Sequence, residues 1–101
     1  MVNDLTDGTA NKGYRILVVD DEEDLCEILK FNLETEGYTV ETANSAEEAL
    51  TLDIANFNLL LLDVMMGGMS GYSLAKKLKA APATAQIPII FLTARDSEND
   101  T

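Results

Sequence analysis

Apolar residues along the chain fall into short continuous runs separated by helical stripes. Residues 15–20 (RILVVD) form a run rich in Val and Ile that ends on an acid. Such a run predicts a strand buried on both faces, as in a parallel sheet. Over residues 22–36 the pattern changes, with Leu25, Ile28, Leu29 and Leu33 recurring at i, i+3, i+4 and i+8 as one apolar stripe of a helix. Acids crowd its first turn, where the helix dipole favours them, and Gly37 is placed to end it. Cys26 lies off that stripe and reads as an incidental thiol.

The remaining pattern repeats this alternation. Residues 39–43 (TVETA) alternate and are β-branched, which predicts a second strand. Ser45 with Glu48 forms a capping box that opens a helix from Ala46 to about Ala55. Residues 59–63 (LLLLD) predict a third buried strand, again ending on an acid. A loop containing Gly67, Gly68 and Met69 follows, then a helix over residues 71–80 that carries Leu74 and Leu78 inward. Pro82 bars its continuation. Residues 87–93 (IPIIFLT) predict a fourth strand, with Pro88 at its start, where a missing N–H is tolerated. Residues 1–13 lack periodicity and read as a flexible leader. The order β-α-β-α-β-α-β argues for an open α/β sheet, whose ligands bind outside the carboxyl ends of the strands.

Composition narrows the chemistry. The 101 residues contain 47% hydrophobic and 25% charged residues, as in a folded domain, and this length allows one domain. No His is present, which removes imidazole acid–base catalysis, and one Cys can form neither an internal disulfide nor a zinc site. A reducing, cytoplasmic setting is expected, with no signal peptide and no membrane span. The net charge of −11 arises entirely in residues 1–60, which carry 14 acids against 3 bases. Such a surface repels a phosphate backbone, so direct nucleic-acid binding is not expected. Lys76, Lys77 and Lys79 read as a small solvated basic face, and Met65, Met66 and Met69 as loop and core packing.

The strand ends carry the candidate site. Strand one ends at Asp20 and runs into Asp21, strand three ends at Asp63, and strand four ends at Thr93. If strands one and three are neighbours, their terminal carboxylates share one crevice. Two such charges about 5 Å apart, at an effective dielectric near 20, repel by about 3 kcal/mol. A hard divalent cation such as Mg²⁺ is the natural partner, because it takes oxygen ligands and retains water.

These residues carry a resemblance. VVDDEED (residues 18–24), LLLLDVMMGGMSGY (59–72) and PIIFLTA (88–94) resemble the receiver domain of two-component response regulators. The spacings hold as well, 42 residues from Asp21 to Asp63 and 30 from Asp63 to Thr93. The match spans residues 14–101. It implies a flavodoxin-like parallel sheet of strand order 2-1-3-4, the family's fifth strand and fifth helix being absent from this chain.

The same resemblance implies phosphorelay signalling rather than enzymatic turnover, with a switched output surface. Asp63 is then the phosphoacceptor, taking its phosphoryl group from a sensor histidine kinase. Mg²⁺ is held by Asp20, Asp21, Asp63 and the backbone carbonyl of Met65. Thr93 contacts the phosphoryl group as the switch, and small Ala94 leaves access to it. An aspartyl-phosphate phosphatase of the haloacid dehalogenase type wants a second Asp two residues after its nucleophile, and Met65 stands there.

Two departures from the family pattern stand out. The chain stops at Thr101, before the Lys that pairs with the phosphoryl group, and Arg95 is in the wrong place to replace it. This keeps open the alternative of a degenerate receiver, a protein-interaction module that works without phosphorylation. It also leaves strand four as an apolar edge, so the chain is expected either to be a fragment completed elsewhere or to self-associate there as a homodimer. The second departure is Gly67, where the family commonly has Pro. Glycine enlarges the conformational space of the loop that carries Met65. A Gly67→Pro variant is expected to bind Mg²⁺ more tightly than the wild type, and equal affinities in a calorimetric titration would refute this.

Overall fold

Four short strands pair side by side, and the sequence of their pairing is what brings distant acids together. In this computed structural model, which describes residues 13–92, β1 (Arg15–Val19), β2 (Thr39–Ala43), β3 (Leu59–Asp63) and β4 (Ile89–Leu92) form one sheet in the order β2-β1-β3-β4. All three pairings are parallel, with Val19 opposite Ala43 on one side and Leu62 on the other. This is the expected order, and β1 and β3 are neighbours. The leader lies outside the described residues, apart from Gly13.

Continuous apolar strands bury both faces, and the alternation along β1 assigns each residue to a layer. Leu17 and Val19 pack with Leu60, Leu62 and the inner faces of α2 (Ala46–Ala49) and α3 (Gly71–Ala80). Ile16 and Val18 face the other way, against α1 (Glu23–Thr35) and Val40. Gly37, with φ at 99°, ends α1 as anticipated.

The stripe of α1 is rotated from the predicted one. Its inward residues are Cys26, Leu29 and Leu33, at i, i+3 and i+7, whereas Ile28 is 56% exposed. Cys26 is 2% exposed, so the thiol is a core residue rather than an incidental one. Sulfur packs as a small hydrophobe, which lets the helix lie close over β1. Among the basic residues of α3, Lys79 is not merely solvated, since its ammonium donates to the carbonyls of Ala85 and Ile87.

The predicted helix from Ala46 to Ala55 is instead one short turn. Ser45 caps it through the Glu48 N–H, as expected, but it ends at Ala49. The Thr51 hydroxyl donates to the Glu48 carbonyl, which a continuing helix would give to Leu52, and the Leu52 N–H tightens onto Ala49. A 3₁₀ turn (Ile54–Asn56) follows and plants Ile54 and Phe57 in the core. The fourth strand is also shorter than expected, beginning after Pro88, whose carbonyl accepts from the Leu60 N–H.

The first turn of α3 rests on the end of β3. The Gly71 N–H donates to the Val64 carbonyl, and a Cβ at Gly71 would stand 2.2 Å from the Asp63 carbonyl oxygen. No side chain fits there without moving backbone. Gly71→Ala should therefore destabilise the fold by about 1–3 kcal/mol, read from urea unfolding. Unchanged stability would show that this contact is looser than described.

Candidate functional site

Parallel pairing puts the carboxyl ends of β1 and β3 side by side. Asp20 follows the Val19–Leu62 pair by one step, and its N–H continues the ladder onto the Ala43 carbonyl at 3.0 Å. Its side chain is 1% exposed and its Oδ1 accepts from the Glu22 N–H at 2.9 Å. Asp63 closes β3 opposite Leu92 and is 3% exposed, so the strand is buried up to its acid as the pattern predicted. The Met65 N–H donates to Asp63 Oδ1 at 3.2 Å, which fixes the rotation of that carboxylate. Asp21, one residue beyond Asp20, is exposed.

The three acids converge. Asp20, Asp21 and Asp63 each offer a carboxylate oxygen, and these oxygens all lie within 4.8 Å of one another. At an effective dielectric near 20, each pair at that separation repels by about 3 kcal/mol. Oxygen donors, two of them buried and one open to water, suit a hard divalent cation that keeps part of its hydration shell. The set also presents a carboxylate able to act as a nucleophile beside that cation.

The acidic field reaches a neighbour. Burial pushes the Cys26 thiol up to about 11, and the negative charges of Asp20, Asp21 and Asp63 push the same way. Its hydrogen bond to the Asp20 carbonyl, at 3.3 Å, opposes them. Cys26 is thus a protonated thiol at neutral pH, packed under the site.

Of the other residues singled out in the sequence, Thr93 and Ala94 lie outside the described residues. Met65 sits in the loop after β3 with its side chain exposed, and Met66 is buried in the core. Gly67 has open space around a would-be Cβ and no positive φ; the left-handed position of this loop is Gly68. Two residues near the site had escaped notice, Gly71, which lets α3 rest on Asp63, and Asn44, which reaches the Asp20 backbone; Cys26, read as incidental, reaches it too. Each acts on a main-chain group of a remote segment, a relation with no signature in local spacing.

Comparison with known proteins agrees with this geometry. The family described as "Response regulator receiver domain" matches residues 16–101. The response regulator SaeR of Staphylococcus epidermidis is 42% identical over 86 residues, which is 85% of this chain and 37% of the relative. The chain therefore spans well under half the length of that curated relative. The N-terminal domain of a response regulator receiver protein from Methanoculleus marisnigri is 37% identical with a TM-score of 0.73, over 85% of this chain and 75% of its own. TrrA from Thermotoga maritima, solved in complex with Mg²⁺-BeF, is 30% identical with a TM-score of 0.65, over 86% and 93% of the two chains. With its flavodoxin-like four-stranded parallel sheet and its acids gathered at the carboxyl edge, the chain belongs to the receiver domains of two-component response regulators.

Proposed function

We propose that this receiver accepts a phosphoryl group on Asp63, from a phosphohistidine of a sensor histidine kinase, as a step in phosphorelay signalling. The observation that carries this reading is the convergence of Asp20, Asp21 and Asp63 within 4.8 Å at the carboxyl edge of the sheet. Their donor set fits Mg²⁺, which Asp20, Asp21, Asp63 and the Met65 carbonyl would hold. Bound there, Mg²⁺ would supply the positive charge that offsets the phosphoryl oxygens.

Asp63 does the covalent work. One of its carboxylate oxygens bonds to phosphorus as the P–N bond to the donor imidazole breaks, and the imidazole nitrogen takes a proton from water. The product is an acyl phosphate, formed by nucleophilic attack of the carboxylate. The Met65 N–H on Oδ1 holds the nucleophile in place. Thr93 is proposed to bond the new phosphoryl oxygen and to report its presence, with Ala94 leaving access. The proposed role is thus a regulatory switch, in a cytoplasmic setting consistent with the free thiol of Cys26. No helix among the described residues is long and apolar enough to cross a membrane.

A second copy of the chain is the proposed partner of the β4 edge. Among the described residues β4 pairs only with β3, and Ile90 on it is exposed. A strand edge with apolar side chains is a template for pairing, by a second copy or by a segment that completes the sheet.

Three measurements test these readings. Beryllofluoride with Mg²⁺ should shift the amide resonances around Asp63, and Asp63→Asn should abolish the shift. At a Mg²⁺ concentration ten times its Kd, stability should rise by about 1.4 kcal/mol, or about 6–10 °C in Tm. A protein indifferent to both ligands would instead be a phosphorylation-independent interaction module. Sedimentation at rising concentration should reveal a dimer, and a monomer throughout would remove the edge-pairing reading.

A further inference from the structure

The Asp20 main chain is gripped on both sides. Its N–H donates to the Ala43 carbonyl at 3.0 Å. Its carbonyl accepts from two side chains, the Asn44 amide at 3.2 Å and the Cys26 thiol at 3.3 Å. Asn44 Nδ2 also lies 3.8 Å from the Cys26 sulfur, so the two donors meet over one oxygen. A typical protein carbonyl of this kind, at the end of a strand, would be satisfied by one backbone donor or by water.

That carbonyl belongs to the peptide joining Asp20 to Asp21. Its orientation sets ψ of Asp20 and φ of Asp21, the two torsions that decide how the two carboxylates stand to each other. Asp20 is buried and further held by the Glu22 N–H, whereas Asp21 is exposed and sits in a bend before α1. Repulsion within the cluster drives Asp21 outward, where solvent screens it. A fixed peptide opposes that displacement, and an amide N–H donor is stronger than a thiol.

Asn44 is itself held. Its own N–H donates to Glu48 Oε1 at 2.9 Å, while the Glu48 N–H donates to Ser45 Oγ at 2.9 Å. In a standard capping box the glutamate returns to the capping residue's own N–H. Here it reaches one residue earlier, so that the start of α2 braces the residue touching Asp20.

We infer that Asn44 is a positioning residue for the acidic cluster: through the Asp20 carbonyl it presets the Asp20–Asp21 pair for a divalent cation, with Cys26 as a weaker second donor. This rests on the metal reading proposed above. Groups that orient metal ligands contribute about 10–100-fold in affinity, and Asn44, which works through one peptide, is expected at or below the lower end, about three- to tenfold.

The test is Mg²⁺ titration by calorimetry on the full chain, with no phosphoryl donor, alongside Tm without metal. Asn44→Ala should raise the Mg²⁺ Kd about three- to tenfold. Cys26→Ala should raise it less, and Cys26→Ser, which restores a donor, should bring it back. Thr84→Val removes a buried hydrogen bond to the Leu78 carbonyl, in the connection at the opposite edge of the sheet, and so lowers Tm without touching the site. Its Kd should equal that of the wild type. If Asn44→Ala fails to fold, Asn44→Gln, which moves the amide by one methylene, takes its place in the comparison. Equal Kd for wild type and the Asn44 variant overturns the inference while leaving the metal reading intact, as does a Kd that simply follows Tm in Thr84→Val. A wild type that binds no Mg²⁺ overturns both.

Discussion

Like charges held close at the edge of a buried sheet are the constraint around which this molecule is arranged. Asp20 and Asp63 are almost fully removed from water, and Asp21 completes a group whose oxygens lie within 4.8 Å. Separated in sequence by more than forty residues, Asp20 and Asp63 would not meet in an unfolded chain. Apolar burial along β1 and β3 forces them together, since neither strand can withdraw its acid without exposing Val19 or Leu62. The cluster is thus kept by hydrophobic packing against its own repulsion, an opposition that a bound cation would relieve.

Such a site works only if its backbone does not give way. Several contacts serve that end, and they come from different segments. Gly71 brings the first turn of α3 against the Asp63 peptide, the Met65 N–H fixes the Asp63 carboxylate, and Asn44 and Cys26 close on the Asp20 carbonyl. The helices around the sheet therefore do more than cover it. The first turns of α1 and α3, through Cys26 and Gly71, and the residue before the α2 cap, Asn44, bear on the main chain at the strand ends, where the acids are.

Legibility in the sequence varied with the range of the interaction. The strands were read nearly to the residue because a buried parallel strand is a local apolar run with a polar end. The helix after Ser45 was overestimated because Thr51 captures a carbonyl through its hydroxyl, a choice made over three residues that apolar periodicity does not weigh. The face of α1 was misjudged by one position. Leucine spacing favours Ile28, but the approach to β1 places Cys26 inside, where a small sulfur fits and a larger side chain would hold the helix off.

Taken alone, the order of residues determined which segments are strands, that two of them run into acids, and that the acids would suit a hard cation. These properties are local, set by burial periodicity and by the chemistry of single side chains. Whether β1 lies beside β3, how the Asp20–Asp21 peptide is turned, and that Asn44 supports it were decided only by the tertiary structure. Strand order and side-chain-to-backbone contacts join residues far apart in the chain, and no short-range pattern encodes a distance that exists only after the sheet has formed.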